Sequence, residues 1–456
     1  MPIISKFIAT IIIIFINLSA LAIDLQEAIT SAYNNNDELK VIRRDFLDEI
    51  EQFPQALARF LPNIIASIDA SDAKSKNIGQ FGNSPTERKT LQNNIIIEQP
   101  IFNGGGDVAL LKVAQSTFKA SRGKYYASEQ KILLSTIQSY LDYVEAREKY
   151  EISESSVRSN QKQLEAVEER LKVGESTETE LASARAGLAL AETNKLTEYA
   201  NLQSAKANFA KKSGLTPADD ITMPPVPIGL PGTFDELSKR SLAANPEIDY
   251  IRHSANASKT NEIAAKSALL PQVSFKVQTG KTYYDPETQN FLGSGTTNSR
   301  SVTSSLSLQI PIYSRGGVEY SKIRKAKNST RKIVHQLDDQ LKQNNSNCIT
   351  SWEGFNAAKS KIIAATQGVD AAQIAYDGTV EEEKVGSKSI LDVLNAEDRL
   401  NKAKIQKVGA YKEHILAAYQ MKSLIGQLTA KSLKLNVTYF IPEQEFKKVK
   451  MKIIGF

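Results

Sequence analysis

"EQPIFNGGG" at 98–106 and "QIPIYSRGG" at 309–317 state nearly one phrase twice: a proline, an Ile-aromatic pair and a glycine run. One such match is a generic turn, so its weight rests on the flanks. Those repeat too. Pro62 in "ALARFLPNIIASIDA" faces Pro271 in "AKSALLPQVSFKVQT", "NDEL" (36–39) faces "NPEI" (245–248), and "KVGESTETEL" (172–181) faces "KVGSKSILDV" (384–393). Four landmarks in one order, about 210 residues apart, exceed the ~20–50 residue period of solenoids and propellers. They predict two copies of one large unit, 23–232 and 233–456.

The opening "MPIISKFIATIIIIFINLSALA" has one cation at Lys6, an apolar run from Phe7 to Ile16 and Ala20-Leu21-Ala22 as an A-x-A site. It predicts a signal peptide over 1–22, because the run is too short for a stop-transfer helix of ~20 residues. An uncleaved anchor is the alternative, and it too would face the protein outward. The net charge of +6 is spread over many mixed charges, which describes a solvated surface and no nucleic-acid partner. Cys348, the only cysteine, excludes an internal disulfide and is expected to be a buried structural thiol.

From Asp107 to Leu171 and from Val318 to Lys384 there is no proline, and Ala, Glu, Lys, Gln and Leu dominate. These residues lose little rotamer freedom in a helix. At ~1.5 Å per residue such helices approach 100 Å, so they must lie against others along their length. Tip turns at 173–177 and 385–389 reverse them into Glu178–Lys212 and Ile390–Leu428. Further helical runs are expected over Leu25–Arg59 and Thr233–Leu269. Each copy then has one long helix facing two stacked short ones. A Pro- and Gly-rich linker, 213–232, separates the copies.

The stretches after the prolines have period two. "PQVSFKVQT" puts Val273, Phe275, Val277 and Thr279 on one face; "SSLSLQIPIY" does the same with Leu306, Leu308, Ile310 and Ile312. Two hairpins are expected, at 61–102 and 270–313, each with strands of roughly nine to twelve residues and a long polar loop, 71–89 and 280–300. Strands apolar on one side and polar on the other fit a transmembrane barrel. Four cannot close one, since ~8 is the practical minimum. Either they form a soluble sandwich or several chains share a barrel.

Taken together, the duplication, "NPEI", "PIFNGG" with "PIYSRGG", "KVGSKSILDVLNAEDRLNKAK" (384–404) and "SLIGQLT" (423–429) resemble the TolC family of outer-membrane efflux and secretion channels over nearly all of the mature chain. The resemblance implies a mainly α fold with a small β part: long coiled-coil helices plus four transmembrane strands per chain. A homotrimer would form a 12-stranded β-barrel in the outer membrane of a Gram-negative bacterium and a periplasmic α-helical barrel. Its implied partners are outer-membrane lipid, a periplasmic adaptor protein and an inner-membrane efflux pump or ABC secretion transporter. Its cargo would be small toxic compounds or secreted proteins.

By the same resemblance, Pro100, Gly104 and Gly105, with Pro311, Gly316 and Gly317, are strand-to-helix turns. There the glycines permit the backbone change and proline ends the ladder. Val173-Gly174 and Val385-Gly386 would dock the adaptor, with Glu175 and Ser387 departing from the family's usual third residue. Thr179, Glu180 and Lys388 would latch the entrance, while Glu383 stands where the family often has an aromatic. Asp392 and Asn395 occupy the positions of two pore rings, the second neutral here. Three carboxylates around a narrow axis attract cations and can bind a divalent metal, so divalent block at Asp392 is expected.

No catalytic constellation, cofactor or structural metal is expected. His253, His335 and His414 are isolated, and "GKT" (280–282) lacks the first glycine of a phosphate loop. The rival function is a secreted coiled-coil scaffold or tether of the envelope.

Overall fold

The computed structural model describes residues 24–79, 82–217, 220–286, 297–313 and 315–452; the expected signal peptide lies outside them. The first copy runs α1 (Leu25–Asn35), α2 (Asp37–Ile50), α3 (Gln52–Ala58), β1 (Asn63–Gly79), β2 (Gly82–Asn103), α4 (Gly106–Lys172) and α5 (Glu178–Ser213). The second runs α6 (Phe234–Ala244), α7 (Pro246–Ser267), β3 (Gln272–Pro286), β4 (Thr297–Gln309), α8 (Val318–Lys384) and α9 (Ile390–Leu424), and α10 (Pro442–Val449) follows. The two long helices have 67 residues each. Among the described residues no helix is long and apolar enough to cross a membrane.

Two expected helices are broken at the repeated "NDEL" and "NPEI", and the first is broken again at Glu51. Asn36 and Asn245 have extended backbones at ψ 120°. The Asn36 side chain accepts from the N–H groups of Glu38 (3.0 Å) and Leu39 (3.3 Å), and that of Asn245 from Glu247 (2.9 Å). Each asparagine therefore caps a new helix, and Pro246 sits at a first position where its missing N–H costs nothing.

The four strands form one antiparallel sheet in the order β1-β2-β3-β4. Their ladders continue through the segments expected to be polar loops, from Asn63↔Glu98 out to Gly79↔Gly82 and from Gln272↔Gln309 out to Tyr284↔Thr297. Backbone pairing needs no apolar side chain, and cross-strand charge pairs such as Lys74 with Glu87 support it. Apolar alternation thus marks the part of each strand facing lipid, not the strand's end. Pro100 does not end the ladder either: β2 runs on to Asn103, and a register shift between Pro100 and Phe102 absorbs the missing donor.

Register sorts the two faces. Ile64, Ile97 and Val277 lie in one row, and Phe102, Val273 and Leu308 in another on the same face. Glu98, Lys276 and Ser305 share the opposite face, as do Asp69, Gln92 and Thr282. One face suits lipid and the other water.

The chain divides into two compact units, one of residues up to Leu39, Gln130–Leu237 and Asn347–Thr438, the other of Lys40–Glu129, Ser238–Ser346 and residues from Tyr439 on. In the first, Leu237, Cys348, Met421 and Ile425 form a buried cluster against Trp352 and Phe355. Burying a side chain such as Met421 stabilises by roughly 1.5–3 kcal/mol.

In the second unit the basic segment from Phe446, for which disorder is the default sequence reading, begins inside α10. Phe446 stacks on Phe118 at 3.9 Å and meets Phe53 edge-on at 5.1 Å. These aromatic contacts order the segment. Residues 453–456 lie outside the described ones.

The corner between β2 and α4 depends on Gly104. Its φ is +58°, and a Cβ there would stand 2.6 Å from the Ser267 carbonyl oxygen and 2.7 Å from Leu270 Cβ. Gly105 has φ +77° with nothing within 4 Å. Both pay about 1–2 kcal/mol of left-handed strain on substitution, but only Gly104 also clashes with backbone. Gly104→Ala is therefore expected to lower the thermal midpoint, followed by circular dichroism, well beyond Gly105→Ala; equal midpoints would remove the close approach as the cause.

Candidate functional site

The two helical hairpin turns share one construction. At the end of α4, Gly174 has φ +83°; its N–H donates to Leu171 O (3.0 Å) and the Glu175 N–H to Arg170 O (2.9 Å). At the end of α8, Gly386 (φ +77°) donates to Glu383 O (2.9 Å) and Ser387 to Glu382 O (3.0 Å). This paired arrangement satisfies the last helical carbonyls and requires a residue tolerant of positive φ.

Three residues later each return helix begins with a reciprocal cap. Thr177 Oγ1 accepts from the Glu180 N–H (3.2 Å), while the Glu180 carboxylate accepts from the Thr177 N–H and the Ser176 hydroxyl (2.6 Å). Ser389 and Asp392 repeat the exchange: the Asp392 N–H donates to Ser389 Oγ (3.3 Å), and the Asp392 carboxylate accepts from the Ser389 N–H (3.0 Å) and hydroxyl (2.8 Å). Each turn is a helix stop and a helix start separated by the minimum of chain.

The Ser389 N–H, then its hydroxyl, and more weakly Lys388 hold the exposed Asp392 carboxyl below the usual carboxylate range. It stays ionised at any ordinary pH. Asn395 is exposed one turn further along α9. Glu180 and Lys388 are not brought together; Glu180 is turned back on its own cap. Thr179 is exposed beside it. Val173 and Val385, in the turns themselves, are 70% and 79% exposed.

Behind the turns the hairpins pack through Val167, Leu181, Ala184, Ile390 and Val393, flanked by Tyr376 and Val380. At this seam lie two contacts that sequence reading missed. Arg170 of α4 pairs with Glu383 of α8. Glu397 of α9 is only 5% exposed and accepts from Ser156 Oγ (3.2 Å), Asn160 Nδ2 (3.2 Å) and Gln163 Nε2 (3.1 Å), all on α4. The i, i+4, i+7 spacing of Ser156, Asn160 and Gln163 was a legible polar stripe. Its partner Glu397 looked like one more solvated charge in "NAEDRLNK".

The corner glycines Gly104, Gly105, Gly316 and Gly317 all have positive φ. Pro311 follows the end of β4, and a short 3-10 turn, Arg315–Gly317, leads into α8. His253 lies 3.3 Å from Asp249, and His414 stacks on Phe355 at 4.5 Å. Burial lowers the pKa of both. His335 is exposed. Among the described residues no cluster of His, Cys, Asp and Glu could hold a metal ion.

A sheet with a lipid face and a water face, joined at glycine corners to 67-residue helices that return through capped hairpins, defines an outer-membrane channel chain. The chain belongs to the outer membrane efflux protein family, whose model matches it twice, over residues 28–215 and 237–427. It resides in the outer membrane, and its function is that of an efflux channel. It is 29% identical to the outer membrane efflux protein BepC of Brucella suis, across 96% of this chain and 92% of that protein. It is 23% identical to the alkaline protease secretion protein AprF of Pseudomonas aeruginosa, across 76% and 72%. The Campylobacter jejuni CmeC outer membrane channel shares the fold with a TM-score of 0.78 at 16% identity, covering 94% of this chain and 90% of that one.

Burial raises the pKa of Glu397, and the bonds from Gln163, Ser156 and Ser159 only partly oppose it. The folded chain therefore favours the protonated acid. That contribution is complete below the ordinary Glu value of 4.5 and is lost as pH rises through the raised one. The thermal midpoint of wild type relative to Glu397→Gln is expected to climb as pH is lowered through this window. A midpoint difference independent of pH would show that Glu397 is not titrating in a buried site.

Proposed function

We propose that three copies of this chain close into one barrel and form an exit duct, receiving cargo from an inner-membrane transporter through a periplasmic adaptor. The observation that carries this reading is the four-stranded sheet, polar on one face and apolar on the other, with β1 and β4 at its edges. An open edge in lipid leaves backbone groups unpaired at several kcal/mol each, so the edges of neighbouring copies pair instead. Three copies give 12 strands, above the closing minimum of ~8.

The hairpin turns supply the adaptor contact and the gate. Val173-Gly174 and Val385-Gly386 present exposed apolar side chains on rigid turns, a form suited to docking a partner's helical hairpin. Threefold symmetry places one ionised Asp392 per copy around the axis, where three like charges select cations and bind divalent ions. Glu180 of one copy and Lys388 of the next are the latch. The cargo is small toxic compounds or secreted polypeptides; the relative BepC is an efflux protein and the relative AprF an alkaline protease secretion protein.

Planar-bilayer conductance of the detergent-purified protein tests both elements. Small, cation-selective steps blocked by divalent cations are expected, with Asp392→Ala losing most of the block and part of the selectivity. Unchanged selectivity and block in that variant would take Asp392 out of the pore. Separately, Lys388→Glu is expected to raise conductance by loosening the latch. A conductance equal to or below wild type would count against it.

A further inference from the structure

The C-terminal helix climbs towards the membrane. Along α10, Glu443 meets Arg122 (3.4 Å), Phe446 stacks on Phe118 and packs against the cluster of Phe53, Ala56 and Ala114, and Lys450 Nζ lies 5.7 Å from the Phe53 ring centre. These α4 partners descend in number towards Gly106, where α4 leaves the sheet. Ala114 is eight residues from that corner, about 12 Å along the helix. On the neighbouring element, Phe53 belongs to α3, which leads directly into β1. The chain from Glu443 to Lys452 therefore ends just beneath the strand ends, where the lipid-facing rows begin with Ile64, Phe102, Val273 and Leu308.

The exposed charge of α10 and the residues that follow it is basic. Within α10, Glu443 pairs with Arg122, and Glu445 pairs with Lys448 at 2.6 Å. Lys447, Lys450 and Lys452 are exposed, beside Met451, which is 70% exposed. A basic cluster with an apolar residue, next to a sheet that spans lipid, has the chemistry of a membrane-surface contact.

We infer that Lys447, Lys450 and Lys452 bind the headgroups of anionic phospholipids in the periplasm-facing leaflet, so that each chain carries a basic foot under the barrel. The long lysine stems reach upward along apolar surface while the ammonium groups meet phosphate. This site stands on the outer-membrane location of the sheet and is independent of the latch and pore proposed above.

Native mass spectrometry of the full chain, purified in neutral detergent and titrated with phosphatidylglycerol or phosphatidylethanolamine, tests it. Wild type is expected to take up phosphatidylglycerol in preference, with the preference falling about fivefold per lysine removed and disappearing in high salt. Lys447→Gln with Lys452→Gln leaves Lys450 on Phe53 and keeps α10 seated; it should cut the preference about 25-fold at an unchanged thermal midpoint. Adding Lys450→Gln should abolish it. Equal uptake of the two lipids, the outcome if an acidic protein occupies the patch, would overturn the inference. So would an unchanged preference in the double variant, or displacement of the lipid by inorganic phosphate at equal concentration.

Discussion

Every backbone donor and acceptor that enters a bilayer must find its partner in protein, because lipid offers none. In this chain only the strands face that demand, and the long helices outside the bilayer solve their own backbone pairing by the opposite means. The four strands meet it by pairing with neighbours, and the 67-residue helices that follow pair within themselves. The change of regime happens within a few residues at each corner, which is why positive-φ glycines stand at both. The four-stranded sheet leaves β1 and β4 as its edges, which is the ground on which self-assembly is proposed.

The same economy shapes the hairpin turns. Stopping one helix and starting the next in a handful of residues leaves up to four unsatisfied N–H groups at the new start. Thr177 with Glu180, and Ser389 with Asp392, answer part of that need within each turn. Asp392 consequently does two jobs: it caps α9, and its carboxylate remains charged and exposed. The rigidity of the turn and the placing of the charge have one cause.

Much of this was legible from spacing. The proline-free stretches predict α4 and α8 to within a residue at either end, since nothing in them can break a helix and Gly174 and Gly386 stop them. What was not legible depended on local competition between readings. Asn36 and Asn245 sit in helix-forming company, and only the backbone shows them capping. The hairpin arms from Ser71 and Gly280 read as loops because polarity was taken for a lack of pairing, whereas a ladder is indifferent to it. Glu397 was invisible for a different reason: a charge is buried by what three residues on another helix do, and no pattern within α9 records that. The family match removes the tether reading, which the strand alternation alone had left open.

The two corners are not equivalent. A side chain at Gly104 would collide with α7, whereas the second phrase already carries Arg315 at the matching position, and a side chain at the next residue, Gly316, would meet open space. The first corner is held to glycine by sterics as well as by backbone angle, and the second only by angle. Insertions and laboratory grafts should therefore be better tolerated at the second corner, making it the natural place to vary the entry into α8 without disturbing the junction of β2 with α4.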